Sequence, residues 1–242
     1  MRAHRRAVLL CVLLLSGCAT VAPEPPVRSE PAAPQTAVGW WYARYRVHWP
    51  EEAQPRWHLD LMLAHGVVAP VLERYQPVIR LWRFHRRAVR DQAGHQFSFI
   101  FYTDPESARR IFDTLRLQPR LRELKRAGLI DQDSYDDTQR IVRPHLQDTS
   151  DKQWSPALQR AWPWFIMGVS ATWLDLIRQS FEGEDRGKLE APLSARERHY
   201  QQVDDAIIHV WQVEGSHAFL HHLNALFEYE PLRVIERRSM QF

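Results

Sequence analysis

The first ordered pattern of apolar and polar positions begins near Gly39. Residues 39–49 (GWWYARYRVHW) are dense in aromatic and β-branched side chains and predict a strand. Over residues 52–75 the spacing changes to threes and fours. Leu59, Met62, Leu63, Val67, Val71 and Leu72 then share one face of a helix, with Pro70 as a point of break or kink. A period of two returns over residues 78–89, placing Ile79, Leu81 and Arg83 on one side and Trp82 and Phe84 on the other. A turn at residues 91–94 leads to residues 96–102 (QFSFIFY), a strand with Phe97, Phe99 and Phe101 on one face. Asp104 followed by Pro105 predicts the capped start of a helix. The order strand, helix, strand, strand, helix is most of a ferredoxin-like layer.

Beyond Leu117 the pattern predicts mainly helix. Ser155-Pro156 opens an aromatic helix running through Trp162, Trp164, Phe165, Trp173 and Ile177 to Phe181, with Pro163 as a kink point. A polar connector follows over residues 182–192. Ser194 and Glu197 have capping-box spacing and start a long helix towards Phe227, and Pro231 opens a last one. The expected fold class is α+β: a small antiparallel-rich sheet with packed helices (residues 38–117) and a mainly helical C-terminal half (residues 118–242).

Residues 1–37 show neither period. Arg2, His4, Arg5 and Arg6 precede nine apolar residues, Ala7 to Leu15, and then Ser16-Gly17-Cys18. Nine residues are too few for a helix to cross a bilayer, which needs about 20. A short apolar run with basic flanks predicts a cleaved export signal over residues 1–17. Leu15-Ser16-Gly17-Cys18 resembles the bacterial lipobox, which implies acylation of Cys18 by palmitate-class chains. By the same resemblance Ala19 gives no inner-membrane retention signal, so the expected location is the periplasmic side of the outer membrane. Residues 18–37 then form a tether, because Pro23, Pro25, Pro26, Pro31 and Pro34 keep the chain extended and solvated.

Composition narrows the chemistry. Cys11 leaves with the signal, so the mature domain has no thiol for a disulfide, a thiolate-bound metal or nucleophilic catalysis. Of the formal charge of +3, Arg2, Arg5 and Arg6 account for three, leaving a mature chain near neutrality. That argues against nucleic acid as a partner, since such binding relies on clustered Lys and Arg. The chain contains no glycine-rich phosphate loop and no Gly-x-Ser-x-Gly elbow.

Three constellations remain. Glu214, His217 and His221 fall on one helical face and could form a three-ligand metal site, or simply a polar face. His222 lies about 100° round an ideal helix from His221, which separates the two. Arg83, His85, Arg86, Arg87 and Arg90 alternate between the faces of a strand. They read either as a charged edge or as a carboxylate or phosphate clamp built on Arg86 or Arg87. Asp204-Asp205 reads as a solvated face, since adjacent helical residues point apart. The aromatic helix reads as core first and as a partner groove second.

The segment Phe219-Leu-His-His-Leu-Asn-Ala-Leu-Phe227, followed by Glu-Tyr-Glu-Pro, is similar to the end of lantibiotic dehydratases and thiopeptide-type bacteriocin biosynthesis proteins. His222 and Asn224 match that pattern, while Leu220 and Ala225 depart from it. Trp40-Trp41-Tyr42 and Trp82-Arg83-Phe84-His85-Arg86-Arg87 resemble the same domain, with Arg86 on its arginine. After His95, Ser98 and Ile100 stand where the family has further arginines. The resemblance covers about residues 39–102 and 199–242. It implies elimination of glutamate from a modified peptide, with His222 as base and Arg86 as anion anchor.

The missing arginines leave that clamp incomplete. The expectation is therefore a membrane-anchored lipoprotein that binds a peptide or protein without catalysis and without a cofactor, through Arg86, Arg87 and Asn224 or by strand addition at a sheet edge. A peptide-modifying lyase using His222 and Arg86 is the first alternative. A metal-binding lipoprotein using Glu214, His217 and His221 is the second.

Overall fold

Strand β1, Gly39–Val47, turns Trp41, Ala43, Tyr45 and Val47 to one side, and all four are buried. The computed structural model that shows this describes residues 37–232. The expected signal, Cys18 and the tether as far as residue 36 lie outside the described residues, as does most of the expected last helix. The predicted first helix begins at His58. It runs as α1 (His58–Leu63), a π-helical turn (Ala64–Val68) and α2 (Ala69–Tyr75). Pro70 does not break it. Pro70 has no N–H, so it is tolerated in the first turn of α2, and the wider π turn just before it absorbs the mismatch.

Strands β2 (Leu81–Ala88) and β3 (His95–Thr103) form a hairpin closed at Gly94, whose φ of 63° suits glycine. Phe97, Phe99 and Phe101 are fully buried, as their alternation predicts. Asp104 caps α3 (Pro105–Arg116) by accepting the Ser107 amide at 2.9 Å. A short α4 (Pro119–Arg126) then leads to β4 (Ile130–Tyr135), a strand within the stretch expected to be mainly helical. Four of its six residues (Asp131, Gln132, Asp133 and Ser134) are polar, so it carries no strand signature of its own.

The sheet is antiparallel in the order β2-β3-β1-β4. With the helices after β1 and β3, that is the ferredoxin-like arrangement, and the fold is α+β. One face carries the main core, closed by α1, α2, α3 and α4. The other face has only a small cluster, Trp40, Leu81 and Ile100, at one end.

Helix α5 (Pro156–Gln179) is capped by Ser155 and carries Pro163 within it. It crosses the outer edge of β2. Met167 packs on the small cluster, Trp173 packs on Phe84 in the main core, and between them the Ser170 hydroxyl accepts the edge amide of Phe84 at 3.1 Å. The helix thereby covers an edge that could otherwise pair with another chain. Helix α6 (Leu193–Gly215) packs mainly on α1 through Arg196, His199, Tyr200 and Val203. Its predicted capping box does not form. Pro192 occupies the cap, and Glu197 reaches His58 Nε2 at 3.3 Å and Arg56 at 3.6 Å instead. From Asp205 onward almost every residue is exposed through a second π turn (Ser216–His221) and α7 (His222–Leu226). This arm makes its main contacts within itself and with α6.

Candidate binding surface

The alternation in β2 splits the basic run. Arg86 faces the core and Arg83, His85 and Arg87 face the opposite side. On the core side the Arg86 guanidinium is held through Nε and Nη2. Its Nε donates to Asp60 Oδ2 at 2.8 Å, Nη2 donates to the Trp57 carbonyl at 3.1 Å, and Asp204 Oδ1 stands 3.7 Å away. The rings of Trp57 and Trp173 lie over it, with centroids at 5.1 and 4.7 Å. Asp60, 0% exposed, also meets His95 Nε2 at 3.0 Å, and the Arg86 guanidinium is the cation at its buried carboxylate. Asp204, expected on a solvated face, is buried, and burial raises its pKa against the opposing pull of Arg86. Sequence reasoning missed Asp60, His95 and Asp204. A lone acid inside the apolar run Leu59-Asp60-Leu61-Met62-Leu63 was the available signal.

His222 and Asn224 lie on the terminal arm. Among the described residues no hydrogen bond, ion pair or ring contact joins either to Arg86. His217, His221 and His222 do come together, with ring centroids 5.2, 5.5 and 5.3 Å apart. The π turn brings His222 beside His217, correcting the separation expected from an ideal helix. Glu214 is not part of this group. Among the described residues no three His, Cys, Asp or Glu side chains are arranged to hold a metal ion. Arg87 pairs with Asp91 at 2.5 Å across the end of the hairpin.

The uncovered part of the sheet is different. Its cross-strand rows run Arg83, Ile100, Tyr42; then His85, Ser98, Arg44, Ser134; then Arg87, Gln96, Arg46, Gln132. Arg44 and Arg143 both pair with Asp136 at 2.9 Å, and their guanidinia flank the Tyr42 ring at 4.5 and 4.2 Å. Asp136 Oδ2 also accepts the Tyr42 amide at 3.1 Å, which fixes the cluster to β1. Burial lowers the pKa of Arg83, with the Tyr42 hydroxyl opposing the shift, and its Nε has no hydrogen-bond partner. His85 is lowered by burial and then by Arg83 and Arg87 on either side of it. Exposed Arg46 has no carboxylate partner among the described residues.

A hollow of about 230 Å³ opens here, lined by Arg44, Arg46, Gln92, Gln96, Gln132 and Ser134. It borders β4. Beyond its pairing with β1, β4 makes no backbone hydrogen bond through residues 131–135 among the described residues. The surface therefore combines an open strand edge with excess positive charge.

Trp164 and Phe165 are 57% and 45% exposed, so the outer face of the aromatic helix is not core. Of Trp162, Trp164, Phe165 and Trp173, only Trp173 packs against the main core. Compared with known protein families, with curated proteins and with solved structures, the chain matches none.

Proposed function

We infer that this protein is an exported lipoprotein, anchored through Cys18 at the periplasmic side of the outer membrane, that binds an extended acidic peptide segment without catalysing its change. The observation that carries this reading is the unpaired β4 edge beside the basic hollow. A peptide strand added to β4 gains backbone hydrogen bonds. Alternate side chains then lie over Gln132 and Ser134, within reach of Arg44 and Arg46. Acidic side chains at those positions match the charge, and Arg suits bidentate contact with carboxylates. Strand addition falls to β4 because α5 occupies the β2 edge at Phe84. Binding is favoured over elimination because Arg86, the position resembling the dehydratase arginine, spends its guanidinium on Asp60 and Trp57.

The test is fluorescence anisotropy with a labelled octapeptide of alternating Glu and Val, beside its Lys and Val counterpart. The Glu peptide binds, and binding weakens as salt rises. Arg46→Glu weakens it at least tenfold, while Arg109→Glu, the same charge change on α3, leaves it within about twofold, where tenfold corresponds to about 1.4 kcal/mol. Equal loss in both variants, or equal binding of both peptides, defeats the peptide reading. Fractionation of cells tests the anchor separately: Cys18→Ser releases the protein from membranes, and retention of that variant on membranes rejects the anchor.

A further inference from the structure

The arm beyond Asp205 has a regular design. Ile207, Trp211, Gly215, Phe219, Leu223 and Phe227 recur every four residues. At 3.6 residues per turn such a row drifts by about 40° per step. The π turn Ser216–His221 takes up an extra residue and removes about half of the drift along the row. Across Gly215 the rings of Trp211 and Phe219 stack at 6.2 Å and 20°. A Cβ on Gly215 would stand 2.9 Å from the Trp211 ring, so glycine is what lets that ring lie down.

This stripe has little to cover it. Trp211, Val213, Phe219, Leu220, Leu226 and Phe227 are 37–80% exposed. At roughly 200 Å² for a large side chain, Trp211, Phe219 and Phe227 present about 300 Å² along the row, while Val213, Leu220 and Leu226 lie off it. A second unpartnered face lies on α5, where Leu158, Trp164, Phe165 and Val169 are 45–57% exposed, or about 400 Å² on the same scale. Beside Phe165 and Val169 stands Gly168, and a Cβ there would meet nothing within 4 Å. The α5 face thus combines aromatic walls with a low floor, and the arm carries large knobs.

Charge decides how these faces pair. Between Arg198 and Arg233 the chain has no Lys or Arg, while Asp205, Glu214, Glu228 and Glu230 are acidic. Between Asp151 and Asp175 it has no acid, while Lys152 and Arg160 are basic. Two arms side by side would repel each other, as would an arm and an anionic bilayer. An arm against α5 is complementary in sign. We propose that the protein forms a two-fold symmetric dimer in which each copy lays its arm, residues 205–230, across the outer face of α5 of the other. Each copy then contributes about 700 Å² of apolar surface, close to the roughly 800 Å² per partner of a standard specific interface. A reciprocal exchange of this kind closes with two copies.

The test uses the full-length chain with Cys11 and Cys18, its two cysteines, changed to Ser. One version carries Ser216→Cys in the arm and the other Thr172→Cys on α5; both positions are exposed. When the two are mixed and treated with a short bis-maleimide, the mixed cross-linked dimer exceeds either homodimer. Adding Trp211→Glu to the arm version lowers that yield at least tenfold. The far-ultraviolet circular dichroism spectrum of that variant stays unchanged, because Trp211 contributes to no buried cluster of the single chain. Cross-linking of Ser216→Cys mainly to itself overturns the proposal in favour of arm against arm. Sedimentation of the cysteine-free chain as a monomer at micromolar concentration overturns it outright.

Discussion

The sheet layer and the arm handle charge and apolar surface in opposite ways. In the layer, the aromatic side chains of the core are hidden and one group of charges is hidden with them. Asp60, Arg86, His95 and Asp204 form one network inside the main core. In the arm, acids and histidines are solvated, and Trp211, Phe219 and Phe227 are solvated too. A buried ionic network ties four elements, α1, β2, β3 and α6, together at fixed positions, because every partner must be present to offset desolvation. An exposed apolar stripe fixes nothing within its own chain. The layer is finished when it folds, and the arm is finished when it meets a surface.

The sharpest way to test that contrast is to remove one carboxylate from each region. Asp60→Ala strands Arg86 and His95 without their shared anion, and costs about 3–5 kcal/mol of folding stability. Glu214→Ala in the arm changes stability by less than about 0.5 kcal/mol. Urea unfolding midpoints compare the two, and equal small losses would mean that the buried network is not what orders the layer.

A smaller effect separates the regions by pH. His65, in the π turn of the first helix, accepts the Tyr200 hydroxyl at 3.0 Å, and its pKa is lowered to about 4 by burial and then by Arg178. Above pH 6.5 it is neutral whether folded or unfolded. Between pH 6.5 and about 4 the unfolded chain takes up a proton that the folded chain refuses. Stability therefore falls with pH across that window, by roughly 3 kcal/mol in total. His65→Gln keeps a side chain able to meet Tyr200 and flattens the decline, as unfolding midpoints at pH 7 and pH 4.5 would show. An unchanged slope in that variant assigns the acid sensitivity elsewhere.

The smallest effect lies on the receiving face. Gly168→Ala adds a methyl group in open space on α5. It raises helix stability by about 0.5–1 kcal/mol, because alanine has less backbone freedom to lose than glycine. A melting temperature that falls instead would show that the position is already packed.

Regular alternation made much of the layer legible. Phe97, Phe99 and Phe101 mark β3 because each sits over the core, and Asp104-Pro105 marks α3 because both residues act locally. Strand β4 was hidden because β1 supplies the apolar neighbours that its own Asp131, Gln132, Asp133 and Ser134 lack. Asp60 was hidden for a related reason: its partners lie 26 and 35 residues away, and no local window contains them. Alternation also placed Arg83 and Arg86 on opposite faces. It could not say that the Arg86 face is the closed one, because Trp57 and Trp173, which close it, come from two distant segments. In the arm, histidine spacing read on an ideal helix separated His221 from His222, and a π turn is a departure that such spacing does not announce.

The central position of β1 carries a kinetic consequence. It is the first strand in the chain, yet both its neighbours come from later segments. Trp41 bonds to Thr103, 62 residues on, and Tyr42 to Asp136, 94 residues on. During synthesis β1 leaves the ribosome long before either neighbour exists, and the sheet cannot close until about residue 136 has followed. Such long loops must be ordered before any contact rewards them, which slows folding relative to a chain built from local hairpins. The delay leaves β1 without either sheet neighbour while the rest of the chain is still being made.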